Sequence, residues 1–164
     1  MEKKTVSTRM ESLVVLFDMH TVYLKRALEG ISDEDSLKRL DTKANHVAWI
    51  TGSLVQERFE LAGLFGSELH QKAIELFKDH KGIQESEKYP ASQKFIEDWD
   101  RISPVLREYL VSATDEKLDS IFKMPDFEMT NYELFTFMTY REANMIGQIA
   151  LWRRLLGYDA MKYM

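Results

Sequence analysis

The sequence predicts an all-α protein: a four-helix bundle with short extra helices in its connections. Three observations point there. Apolar residues recur at three- and four-residue intervals in four long segments, helix-start and helix-stop residues bracket those segments, and no alternating polar–apolar run announces a strand. With 164 residues, 45% of them hydrophobic and 30% charged, the chain has the size and composition of one folded domain spanning residues 1–164.

The elements follow in order. Thr8-Arg-Met-Glu11 has capping-box form, so the first helix is expected from Thr8, with Met10, Leu13, Val14, Phe17, Leu24 and Leu28 at helical spacing. Gly30 is its natural stop. Ser32-Asp-Glu-Asp35 suits a short capped turn. The second helix is expected from about Lys43 to Leu64, with Val47, Ile50, Leu54, Phe59 and Leu61 on its apolar side and Gly63 and Gly66 at its end. From about Ser67 to Ala91 the pattern is less regular. Leu69, Ala73, Ile74 and Phe77 suit a short helix, Gly82 and Pro90 mark connection, and the length permits a crossover. The third helix starts near Ser92 and carries Phe95, Ile96, Trp99, Ile102, Leu106 and Leu110; Pro104 inside it predicts a kink or a break. A short turn over Ala113–Asp119 and a loop through Pro125 lead to Thr130-Asn-Tyr-Glu133, a capping box that opens the fourth helix.

Composition removes several function classes. A net charge of −5 argues against general affinity for nucleic acid or anionic membranes. The absence of cysteine removes disulfides, thiolate metal sites and a cysteine nucleophile. Met1-Glu-Lys-Lys-Thr is not followed by the apolar run of a secretory signal, and no stretch approaches the roughly 18 apolar residues of a membrane span, so a cytoplasmic location is expected. Arg153 and Arg154 fall where a helix dipole favours positive charge. Neither a Gly-rich phosphate loop, a Gly-x-Ser-x-Gly elbow nor a His-Glu-x-x-His pair is present.

Two segments carry a family resemblance. Gly147-Gln-Ile-Ala-Leu-Trp-Arg-Arg-Leu-Leu-Gly-Tyr158, and more weakly Ala44-Asn-His-Val-Ala-Trp-Ile-Thr-Gly-Ser-Leu54, resemble the DinB-like (YfiT-like, damage-inducible) four-helix-bundle family, and helix order and spacing extend the likeness over nearly the whole chain. The resemblance implies an α-helical bundle, often dimeric, with an accessible pocket among the helices. It also implies a divalent metal held by three histidines, in a family that includes metal-dependent transferases using low-molecular-weight thiols. Two of those ligands form a His-x-x-x-His pair, seven and three residues before the Gln of the Gly-Gln dipeptide. Here those positions are Arg141 and Met145, and the third ligand position is Ser53. The chain resembles a divergent member that lacks the three-His site.

The substitutions have a physical meaning. Positions 141, 145, 148 and 152 share one face of the fourth helix. A thioether is a soft ligand, and a guanidinium has no acceptor lone pair and repels a cation. A Ser53–Arg141–Met145 triad should therefore not bind zinc or nickel. A charged Arg141 in a pocket needs an anion: either Glu57, four residues beyond Ser53 on the same face, or an anionic ligand. Gln148 and Trp152 either line the same cavity or pack, and Met145 is most simply a core filler.

Three functions stand against one another. The favoured one is a non-metal small-molecule binding protein, with Arg141, Ser53, Met145, Glu57, Gln148 and Trp152 as site residues, no cofactor, and an anion among the candidate ligands. The second is a divalent-metal-dependent transferase or hydrolase that holds zinc, nickel or manganese on His46, Glu57 and Glu142. His46 lies seven residues before Ser53, about two turns along one face; its alternative place is the helix start, hydrogen-bonded or solvated. The third is a homodimeric interaction module whose pocket is filled by Trp49, Met145 and Trp152.

Overall fold

A computed structural model describes residues 4–164. The chain is mostly helical, with four long helices packed as a bundle: α1 (Glu11–Leu28), α3 (Val47–Gly63), α4 (Ser92–Ser112) and α6 (Asn131–Leu155). Two short helices, α2 (Asp33–Ser36) and α5 (Asp115–Asp119), sit in the connections. Each long helix packs mainly on two others, giving the ring α1–α4–α3–α6.

Helix directions follow from side-chain pairs. Asp18 meets Arg107 and Lys25 meets Asp100, so α1 and α4 are antiparallel. His20 meets Glu142, and Arg153 reaches the carbonyl of Ala27, so α1 and α6 run in the same direction. Gly52 lies against Phe95 and Arg58 bonds Ser103, so α3 and α4 are parallel as well. Parallel neighbours cannot be joined by a tight turn, which is why the chain needs a long crossover between residues 64 and 91. Gly52 permits the close approach there. A Cβ at that position would sit 2.1 Å from the Phe77 ring and 2.8 Å from Phe95.

Local chemistry explains most boundaries. The Thr130 hydroxyl accepts from the Glu133 N–H while the Glu133 carboxylate accepts from the Thr130 N–H, the reciprocal box expected for α6. Ser32 and Thr114 cap α2 and α5. Gly30 takes a positive φ of 78° just past α1.

Four expectations need correction. The first helix is capped by Ser7 rather than Thr8, and a 3-10 turn over Thr8–Met10 leads into α1. The second helix begins at Val47, not Lys43, with extended His46 as its N-cap after a turn in which Leu40 and Asp41 take left-handed backbone (φ 48° and 57°). In place of a helix over Leu69–Phe77 there are only 3-10 turns, Ile74–Leu76 and Lys78–His80. α4 runs through Pro104 unbroken. The Pro104 ring and the carbonyl left without a donor, on Asp100, are both on the exposed side, where water can serve that carbonyl.

A fifth difference is a β-hairpin, absent from the helical reading. β1 (Ile121–Met124) pairs antiparallel with β2 (Phe127–Thr130), with Phe122 opposite Met129 and Met124 opposite Phe127. Opposed residues share a face, so these four apolar side chains lie together; Lys123 and Glu128 pair on the other face, 3.3 Å apart. The two-residue turn, Pro125-Asp126, contains no left-handed residue. It thus lacks the Asn-Gly type signal by which two-residue hairpins are usually read.

Among the described residues no helix is long and apolar enough to cross a membrane.

Candidate functional site

α3 sits at the centre of the protein. Its residues from Val47 to Phe59 are almost all buried, polar ones included, apart from half-buried Trp49. Two polar centres form along it, one inside the bundle and one at a cavity.

The inner centre is built on Arg58, whose side chain is fully buried. Its Nε donates to Glu142 Oε1 at 2.6 Å and its Nη2 to Glu142 Oε2 at 2.9 Å, the two-pronged geometry that matches a guanidinium to a carboxylate. Nη1 donates to the Thr21 and Ser103 hydroxyls, both at 2.7 Å, and Nη2 also reaches the Phe17 carbonyl at 3.5 Å. The guanidinium lies between the rings of Trp99 and Phe17, 3.5 and 3.9 Å from their centroids. His20 Nδ1 lies 3.1 Å from Glu142 Oε2. All four long helices contribute to this cluster. Burial pushes the Glu142 carboxyl up, but Arg58 and then His20 outweigh it and hold it below the ordinary carboxylate range. Burial lowers Arg58.

The second centre borders a cavity of about 430 Å3. α3 contributes Trp49, Ser53, Glu57 and Leu61, and α6 contributes Leu134, Phe137, Met138 and Arg141. The apolar face of the hairpin closes one side with Phe122, Met124, Phe127 and Met129, and the crossover adds Phe77, His80 and Lys81. Asp79 and His80 both take left-handed backbone (φ 60° and 54°) at that wall. Polar contacts are few. Arg141 forms an ion pair with Glu57, and its Nη2 lies 3.4 Å from the Ser53 hydroxyl. Burial lowers Arg141. Two buried atoms of the lining residues have no hydrogen-bond partner among the described residues: Glu57 Oε2, an acceptor, and Trp49 Nε1–H, a donor.

The predicted site residues divide. Ser53, Glu57 and Arg141 meet at the cavity. Met145 and Trp152, although on the same helix, belong to the buried core and do not line it. Gln148 is exposed, with its Nε2 donating to Asn144 Oδ1 at 2.8 Å. These positions lie further along α6, past the stretch from Leu134 to Arg141 that borders the cavity.

The metal set His46, Glu57 and Glu142 is not brought together. His46 is the N-cap of α3, its Nδ1 accepting from the Trp49 N–H at 3.0 Å and its ring edge-on to Tyr89. Glu142 is committed to Arg58, and Glu57 to Arg141. Among the described residues no group of three or more His, Asp or Glu side chains is placed to hold a metal ion. Where the resemblance implies metal ligands stand a serine, a methionine that lies in the core and a guanidinium already paired with a carboxylate, and these do not fit a divalent cation.

Sequence reasoning missed Arg58, the hairpin face and the His80–Lys81 wall. Alternation at Phe122/Met124 and Phe127/Met129 was the available signal for the hairpin. Nothing local distinguishes Arg58 from a surface arginine.

His46 predicts a pH dependence. Burial, with a smaller contribution from nearby Arg39, holds its folded value below 6.5, against the opposing effect of its own backbone contact. Neutral His46 is therefore favoured in the fold. Its contribution is fully present above pH 6.5 and is lost as pH falls through the lower folded value. His46→Asn keeps an N-cap without a titrating ring, so urea titrations should show a shallower stability loss below pH 6.5 than for the natural chain. Equal slopes would mean His46 does not contribute.

Neither protein-family models nor curated proteins yield a match to the chain.

Proposed function

We propose that the protein is a divergent DinB-like bundle that binds a small, largely apolar molecule in the cavity between α3, α6 and the hairpin, without a metal. The observation that carries this reading is the composition of the cavity wall: aromatic and methionine side chains on three sides, with the Arg141–Glu57 pair where the resemblance implies metal ligands. A volume of about 430 Å3 falls within the roughly 300–1,000 Å3 of small-molecule sites. The reading assigns Ser53, Glu57 and Arg141 as polar contacts, and Phe77, Phe122, Phe127 and Met138 as the apolar ones.

The test uses a neutral apolar dye and elemental analysis. Nile red should bind one-to-one with a blue-shifted emission, and Met138→Trp, which fills the cavity, should weaken it at least about tenfold. Protein incubated with zinc, nickel or manganese should hold well under one metal per chain. Dye binding untouched by Met138→Trp would reject the cavity, and stoichiometric metal would reject the non-metal reading.

A second reading, compatible with the first, is a homodimer through the α1–α6 face. Leu16 and Met19 on α1 and Tyr140 and Leu151 on α6 are exposed on two helices that lie side by side. Light scattering should give twice 19.3 kDa, and Met19→Glu with Leu151→Glu should give the monomer mass. A natural chain that scatters as a monomer removes this reading.

A further inference from the structure

The hairpin is fastened to the bundle at one end only. At its base the Asn131 N–H donates to the Ser120 carbonyl at 2.9 Å, the Asn131 side-chain amide donates to the Lys117 carbonyl at 2.9 Å, and the Thr130–Glu133 box ties β2 to α6. Beyond that base, among the described residues, no hydrogen bond or ion pair joins residues 121–129 to the bundle, and Lys123 and Glu128 pair within the hairpin itself. We infer that the hairpin is a lid worked by the ligand: hinged at Ser120 and Thr130, it closes its tip, Met124 and Phe127, over an apolar molecule in the cavity. This rests on the small-molecule reading above and adds how the site opens and shuts.

The apolar face of the hairpin divides into two rungs. Phe122 and Met129, the rung nearer the base, pack against the core. Met124 and Phe127, the rung at the tip, line the cavity without joining the core, and they stay 36% and 46% exposed. Phe137, on the α6 side of the same cavity, is 51% exposed. Three large apolar side chains thus border the cavity with much of their surface in water, and closure would remove part of it.

The hairpin does little to stiffen its own tip. Two strands alone are marginally stable, and Pro125-Asp126 forms neither of the turn types whose twist matches the strands. What lies beneath the tip therefore decides its position. Lowered over an empty cavity, Met124 and Phe127 would face a void and find few partner atoms. Lowered over an apolar molecule, they bury their inner surfaces against it. Occupancy stabilises the closed arrangement over the open one, and that difference is what a ligand-driven closure requires.

The experiment uses Nile red and methionine methyl resonances of the full chain. Met124, Met129 and Met138 all line the cavity, so their methyl groups report on the tip, the base and the bundle wall; each is assigned with its Leu variant. Without dye, Met124 should show relaxation dispersion on the μs–ms scale while Met129 and Met138 do not, and saturating dye should abolish it. Stopped-flow mixing gives a second readout. Met124→Ser with Phe127→Ser should release the dye at least about tenfold faster, and should also take it up faster because a shortened lid obstructs entry less. Dye that binds while Met124 behaves like Met129 in both states overturns the lid and leaves the cavity reading in place, as does a double variant with unchanged uptake or release. Failure of the natural chain to bind the dye overturns both.

Discussion

Arg58→Met is expected to destabilise the protein by about 3–5 kcal/mol, because it leaves the Glu142 carboxylate buried and without its cation. Glu142 is only 5% exposed, and besides Arg58 its described polar contact is with His20. The cost comes from the orphaned charge rather than from the strength of the ion pair. The reverse variant, Glu142→Leu, strands Arg58 in the same way and should cost a similar amount. The double variant Arg58→Met/Glu142→Leu removes both charges, and it should recover most of the loss, to within about 1–2 kcal/mol of the natural chain. Urea unfolding of the four proteins gives the cycle directly. Single variants that cost under about 1 kcal/mol would show that the cluster is not sealed from water. The same pair sets an acid limit. Glu142 sits below its ordinary value of 4.5 in the fold, so its contribution is present above that pH and is lost as pH falls through the lower folded value.

Arg153→Ala should cost about 2–3 kcal/mol, the second largest effect, since it removes several charge-assisted hydrogen bonds at once. Arg153 is buried on α6, and its Nη1 reaches the carbonyls of Arg26, Ala27 and Glu29 at 3.1, 2.8 and 3.1 Å. Those carbonyls close α1, where the helix has no further N–H groups to offer. Its Nε donates to the Asp159 carbonyl at 2.6 Å, holding the segment after α6 against the same end. The dipole argument from sequence placed positive charge at the end of α6. Because α1 and α6 run in parallel, their C-termini lie together, and the arginine serves its neighbour. Arg153→Lys keeps the charge but loses the fork, so it should recover less than half of the loss. Amide exchange in the last turn of α1 should accelerate in Arg153→Ala. Unchanged exchange there would mean the carbonyls find other partners.

Legibility in the sequence tracked the range of the interactions involved. The Thr130–Glu133 box spans three residues and was read correctly, as was the capped turn at Ser32. α4 was readable because one face is buried and the other wet, and Pro104 could stay inside it because it falls on the wet face. α3 was harder to bound. A helix buried nearly all round has little periodicity to read, and its first turn was set by a histidine cap, His46. The hairpin strands are four residues long, and their apolar side chains gain burial only against the cavity wall. No window along the chain contains that wall.

The sequence by itself determined the helical class, the order of the long helices, the capping box that opens the last of them, and the spacing that sets Ser53 and Glu57 one turn apart on α3. These depend on residues within about four positions of one another, where backbone geometry alone decides who meets whom. Only the tertiary structure decided that Arg141 pairs with Glu57, that Met145 and Trp152 turn into the core while Gln148 faces solvent, and that Arg58 binds Glu142 at the centre of the bundle. A charged side chain looks the same in sequence whether it ends in water or beneath three other helices. The difference lies in the desolvation it suffers and the partner it finds there, and both are supplied by residues far away along the chain.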